Sequence, residues 1–130
     1  MDDAYERPGK PLRQRGEWRR VPNSLMEWGQ SPDAKTDDHP VVLTANVYRD
    51  NLFAYLLVRC KFRPESHHRR QGVVHQPHVD RCGLNLRGWI QPKKERPIPL
   101  RQLAKYKVFC REPEQSSLWD DIRKFRERQG

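Results

Sequence analysis

The stretch 75–82, His-Gln-Pro-His-Val-Asp-Arg-Cys, gathers the side chains best suited to chemistry. His75, His78 and Cys82, with Cys60 upstream, are side chains that zinc accepts as ligands. Their spacing is C-x14-H-x2-H-x3-C, which lacks the paired C-x2-C or H-x3-H knuckle that lets one short segment present two ligands. Pro77 also stiffens the link between the two histidines. The stretch therefore reads as a basic loop whose histidines sit near phosphates, and no metal or other cofactor is expected.

Hydrolytic chemistry needs paired carboxylates, or a nucleophile beside a base. Between residues 59 and 111 the only acids are Glu65, Asp80 and Glu95, each with Lys, Arg or His nearby, and no motif surrounds any serine. The run Ser-His-His-Arg-Arg at 66–70 could support RNA cleavage by general acid–base transfer, but nothing in its spacing selects that use. A phosphate-cradling glycine loop is also missing from the sequence. The chain is expected to bind rather than to catalyse.

Charge placement says what it would bind. The 130 residues carry a net charge of +9. Residues 59–111 hold fourteen Lys and Arg against three Asp and Glu, a net of +11, whereas 1–40 and 112–130 each come to −1 and 41–58 balances. A surface shaped for solubility spreads its charge; confinement to one block predicts a polyanion-binding face, with nucleic acid as the first candidate. With 35% hydrophobic and 33% charged residues the core is modest and one domain is expected. No apolar run approaches the ~20 residues of a membrane span. The opening segment, Met-Asp-Asp-Ala-Tyr-Glu-Arg-Pro-Gly-Lys-Pro, resembles neither a secretory nor a mitochondrial leader. Three cysteines at wide spacing predict no disulfide framework, and with it a soluble protein in a reducing compartment.

The elements that must position these residues follow from periodicity. Residues 1–17, with two prolines, two glycines and mixed charges, read as a mobile basic arm, and 18–130 as the single domain. Asn23 or Ser24, with Glu27 behind, opens a helical turn or two that Pro32 stops. Val41–Tyr48 reads as a strand, as does 52–62, with Phe53, Tyr55 and Leu57 on one face and Ala54, Leu56 and Val58 on the other. Val73–Val74 is a short strand, and 82–90 alternates as another. Pro99–Cys110 has helical spacing, and the last segment has a serine cap, Asp120 and Asp121 in its first turn, and an apolar stripe of Leu118, Ile122 and Phe125. This is an α+β plan: a small, mainly antiparallel sheet with helices over one face and basic side chains on the other.

Tryptophans raise a second possibility. Trp28 precedes Gly29 and Trp89 follows Gly88, dipeptides that can hook Argonaute when exposed, so Argonaute is a candidate protein partner. A structural ribonucleoprotein component would have a similar composition. Trp119 belongs to the core or to a dimer contact.

Three features in order, Val41-Val42 opening the hydrophobic part, Cys-Gly-Leu-Asn-Leu-Arg-Gly at 82–88, and Leu100 and Leu103 in Leu-Arg-Gln-Leu-Ala-Lys, carry a family likeness, with Glu17-Trp18-Arg19 upstream. The chain resembles the nineteen-kilodalton RNA-silencing suppressors of tombusviruses, and most nearly the shorter fourteen-kilodalton suppressors of aureusviruses. The resemblance implies a homodimer that joins two sheets into one surface. It implies sequestration of small-interfering RNA duplexes in the host cytoplasm by shape and backbone, without reading sequence. In that family two tryptophans three residues apart cap the duplex ends; Trp18 matches the second, but Arg15 stands in place of the first. Length measurement is then weakened, and longer double-stranded RNA is accepted. The expected RNA contacts are Arg15, Trp18, Arg19 and Arg20 near the start. In the basic block they are Lys61, Arg63, Arg69, Arg70, Arg81, Arg87, Lys93 and Lys94.

Overall fold

Strands form where β-branched and aromatic side chains alternate in and out of a core, and helices where apolar residues recur every three or four. A computed structural model describes residues 10–26, 38–50, 52–61, 72–75, 84 and 88–129. Among them run seven strands: β1 (Glu17–Pro22), β2 (Asp38–Leu43), β3 (Phe53–Lys61), β4 (Val73–His75), β5 (Gly88–Ile90), β6 (Arg96–Pro99) and β7 (Val108–Arg111). A 3-10 turn spans Pro92–Lys94, and two helices, α1 (Leu100–Leu103) and α2 (Ser117–Gln129), complete the set. The plan is mixed α and β, with a sheet antiparallel at every pairing, as the sequence predicts.

The sheet runs β4-β5-β3-β2-β1-β7, and β6 pairs with β3. Leu56 of β3 pairs with Leu43 on one side and Arg96 on the other, so β6 lies along the same edge as β5. Between Ile90 opposite Arg59 and Arg96 opposite Leu56, the β5–β6 side carries three more residues than β3, the length of the 3-10 turn. The two short strands are thus one long partner for β3, interrupted by a turn that lifts Lys93 and Lys94 out of the ladder.

Both faces of the sheet are buried, and here the structure departs from the expected bare basic face. On one side Trp18, Val42, Leu57, Val73 and Ile90 pack with Leu118, Ile122 and Phe125 of α2. On the other, Val21, Val41, Leu43, Ala54, Leu56, Val58 and Ile98 pack with Met26, Val47 and Leu103. The physical reason lies in the runs Val41-Val42-Leu43 and Leu56-Leu57-Val58: consecutive apolar residues on a strand point both ways, so both sides need cover. α2 itself is as predicted; Ser116 Oγ accepts from Leu118 N at 3.2 Å as its cap, and the apolar stripe faces the sheet.

Four other expectations change. Residues 10–16 are not a loose arm: Leu12 N donates to Val47 O at 2.7 Å, Val47 N to Arg13 O at 2.9 Å, and Gly16 N to Leu43 O at 2.8 Å. Strand β2 starts at Asp38 and stops at Leu43, leaving Val47 to make its own bridge with Arg13. The helix expected over Pro99–Cys110 is one turn, because Val108-Phe109-Cys110 finds a strand partner in β1. Cys110 is disulfide-bonded, against the expectation of none. Of the turn expected from Asn23, the described part is hydrogen-bonded from Leu25 N to Pro22 O and from Met26 N to Asn23 O. Residues 27–30 lie outside the described residues, as do 82, 83 and 85–87 of the strand expected at 82–90.

Phe125 is 2% exposed and closes α2 onto the sheet. Phe125→Ala is expected to cost about 3–5 kcal/mol of unfolding free energy, read as a lower denaturant midpoint, because it opens a cavity in that core.

Candidate functional site

Trp18 and Arg19 are neighbours on β1, so their side chains leave on opposite faces. Trp18 is fully buried; its Nε1 donates to Glu112 Oε1 at 3.0 Å and its ring lies 5.3 Å from that of His75. The expected base-stacking role is therefore corrected: an indole without exposed surface cannot meet a base pair. Arg19 is 1% exposed, paired to Glu17 at 2.8 Å, and donates from Nε to Tyr106 O at 3.0 Å, so it does not reach phosphate either. Burial depresses the Arg19 pKa, partly offset by Glu17.

Glu112 lies at the centre of a buried polar network. Its Oε1 accepts from Trp18 and from His75 Nε2 at 3.0 Å, and its Oε2 accepts from Ser116 Oγ. Arg59 Nε donates to His75 Nδ1 at 2.9 Å, which leaves the His75 proton on Nε2, facing the carboxylate. The Arg59 guanidinium has room because Gly88, diagonal to it on β5, has no Cβ to meet it. Gly16, at φ +103°, holds the other side: Glu112 N donates to its carbonyl at 2.7 Å, and a Cβ there would come within 2.5 Å of Glu112 O. Burial pushes the Glu112 carboxyl up, but hydrogen bonds from His75, Ser116 and Trp18 outweigh it and the net direction is down. Burial likewise lowers Arg59, to about 10.

Serine, carboxylate and histidine thus meet, but in the wrong order for nucleophilic catalysis. There the histidine bridges nucleophile and carboxylate; here Glu112 stands between Ser116 and His75, and all three are buried. His75 is equally committed and gives zinc no free nitrogen. Among the described residues no group of three or more His, Cys, Asp or Glu could hold a metal ion. His78 and Cys82 lie outside the described residues.

The remaining expected contacts divide by accessibility and pairing. Arg15 is half-exposed, 4.5 Å above the Trp119 ring and paired to Glu114 at 2.6 Å. Arg20 is exposed and paired to Asp38 at 3.3 Å. Lys93 and Lys94 stand exposed on the 3-10 turn. Lys61 ends β3 opposite Gly88. Arg63, Arg69, Arg70, Arg81 and Arg87 lie outside the described residues, as does Trp28. Trp89 is half-buried within β5, packed rather than offered as a hook.

Sequence reasoning missed a second set. Arg101, Lys105 and Lys107, between β6 and β7, are exposed. Six arginines elsewhere, Arg15, Arg19, Arg20, Arg111, Arg123 and Arg126, meet carboxylates within 4 Å. Lys93, Arg101, Lys105 and Lys107 have no such partner among the described residues. Residues 91–111 hold seven Lys and Arg against one acid, Glu95, which Arg126 and Thr44 already engage. Reading 99–110 as one helix hid this set, since a helix would place Lys107 on a different face from Arg101 and Lys105.

No protein-family model, curated protein or solved structure matches the chain. No helix of the described residues is long and apolar enough to cross a membrane.

Glu112→Ala is expected to destabilise the fold by about 3–5 kcal/mol in denaturant unfolding, because it leaves the buried Trp18 and His75 N–H groups and the Ser116 hydroxyl without their acceptor. Because the Glu112 pKa is lower folded than unfolded, unfolding takes up a proton at acid pH. Its stabilisation is complete above the ordinary value of 4.5 and is lost as pH falls through the folded value. Wild-type stability should therefore drop on acidification below about 4.5, and Glu112→Gln should flatten that decline in unfolding curves taken across the range.

Proposed function

We propose that the chain binds double-stranded RNA by shape and backbone, without reading sequence. As a homodimer it would sequester small-interfering duplexes and longer ones in the host cytoplasm, and so act as a viral suppressor of RNA silencing. The observation that carries this reading is the cationic segment in which Lys93, Arg101, Lys105 and Lys107 are exposed without carboxylate partners among the described residues, while its one acid, Glu95, is engaged by Arg126. Double-stranded RNA hides its base edges in a deep, narrow groove and displays phosphates and 2′-hydroxyls, so a ligand-free set of cations suits it without any base-reading element. The family likeness points to the same ligand and rests on the residues that carry it.

With both sheet faces filled by core, phosphate contact falls to turns and edges. Strand β7 pairs with β1 on one side only and lies at the end of the sheet, which supports joining two sheets there in a dimer. Burial of Trp18 leaves duplex ends unmeasured by that residue and favours acceptance of long RNA. In a reducing cytoplasm Cys110 would be held as a thiol, with β7 still paired to β1 through its backbone. The buried order of Ser116, Glu112 and His75 favours binding over catalysis.

The test is titration of purified protein with a short RNA duplex, a long one, a DNA duplex and single-stranded RNA at several salt concentrations. Both RNA duplexes should bind more tightly than the other two, with log affinity falling against log salt by about 0.7–0.9 per phosphate contact. Replacing Arg101, Lys105 and Lys107 by Ala should weaken every RNA duplex by a similar factor and flatten that slope. A slope near zero, or equal binding of all four ligands, would overturn the reading in favour of a general ribonucleoprotein component.

A further inference from the structure

Helix α2 covers its face of the sheet from Trp18 to Ile90 and leaves the start of β3 bare. Period-two alternation places Phe53 and Tyr55 on the same face as Leu57. Leu57 is fully buried, whereas Phe53 and Tyr55 keep 48% and 46% of their surface. Opposite them on β6 stand Pro99 and Pro97. Two rings two residues apart on a strand are separated by ~7 Å and held by the ladder rather than by a loop. Thr44 N fixes that ladder by donating to Tyr55 O at 3.0 Å, and Thr44 Oγ1 donates to Glu95 Oε2 at 2.6 Å.

Exposed cations stand in the segments that lead into and out of this platform. Arg49, in the connection before β3, Lys93, on the 3-10 turn, and Arg101, in α1 just after Pro99, are all exposed and have no carboxylate partner among the described residues. Glu95 is held by Arg126 at 2.8 Å, and Asp50 is the exposed acid beside Arg49. We infer that Phe53 and Tyr55 form a stacking site for the unpaired bases of single-stranded nucleic acid, whose phosphates run toward Arg49, Lys93 and Arg101. Flat rings on a rigid sheet accept any base face, and flanking cations accept the backbone, so the site is tolerant of sequence. Bases inside a duplex are already stacked on each other and offer no free face, so this ligand is distinct from the duplex proposed above and does not rest on it. A purely apolar partner would gain nothing from the three cations.

The test uses the full chain and an oligothymidylate of about 12 nucleotides, beside an abasic oligomer of the same length and charge. Wild type should bind the oligothymidylate about tenfold or more tightly than the abasic strand in fluorescence anisotropy. The double variant F53L/Y55L, which stays apolar but loses both rings, should abolish that preference and leave RNA-duplex affinity within about twofold. Tyr55→Trp, which retains a ring, should preserve it. Equal binding of thymidylate and abasic strands by wild type, or an unchanged preference in F53L/Y55L, would overturn the inference. So would a change in oligomeric size in the double variant, which would assign the patch to a subunit contact. Loss of the preference in a chain that binds no duplex would support the stacking site and sink the duplex reading.

Discussion

A carboxylate taken out of water must be answered by donors, and the fold is arranged around the one at Glu112. Its partners come from β1, β4 and the cap of α2, and a fourth residue, Arg59 on β3, acts through His75. A charge left unanswered there would cost several kcal/mol, so each of these elements is held to the position that satisfies it. Two glycines make the arrangement fit: Gly16 lets the backbone of residue 112 approach, and Gly88 clears space for the Arg59 side chain. Packing of Leu118, Ile122 and Phe125 then seals the network beneath α2.

The same core decides where partners can bind. A sheet largely covered on both faces offers solvent its turns, its outer strands and an uncovered corner at the start of β3. The charge distribution agrees with that division. Six arginines meet carboxylates, and among the described residues exposed cations without such a partner include Arg49 before β3, Lys93 on the 3-10 turn, and Arg101, Lys105 and Lys107 on the connection from β6 to β7. Net charge alone would not have separated the two groups; pairing does.

What the sequence disclosed followed the range of the forces involved. β3 and α2 were legible because period-two and period-3.6 patterns are local, and α2 carries its own cap in Ser116. β7 was not, since Val108, Phe109 and Cys110 continue a helical spacing and become a strand only by pairing with β1, some ninety residues earlier. Trp18 shows a related limit. The family likeness implied a stacking role for it, but strand alternation sends Trp18 and Arg19 to opposite faces, where Glu112 holds the indole and Glu17 pairs the guanidinium. Glu112 gave no signal in the sequence, for its partners are scattered from residue 18 to residue 116.

The position of β1 between β2 and β7 has a consequence for the order in which a chain can assume this shape during synthesis. The hairpin of β2 and β3 joins neighbours in the chain and can form as soon as both have left the ribosome. Trp18 emerges much earlier, yet its hydrogen-bond acceptor is 94 residues downstream, and the helix that covers it comes later still. Until residue 112 emerges, the nascent polypeptide therefore carries an indole without its acceptor, beside a pair of buried-to-be charges, Glu17 and Arg19. The β1–β7 end of the sheet can close only after β7 is made, and α2 covers Trp18 later still. Such a molecule acquires its native state through its most distant contacts, the slow route expected of high-contact-order topologies.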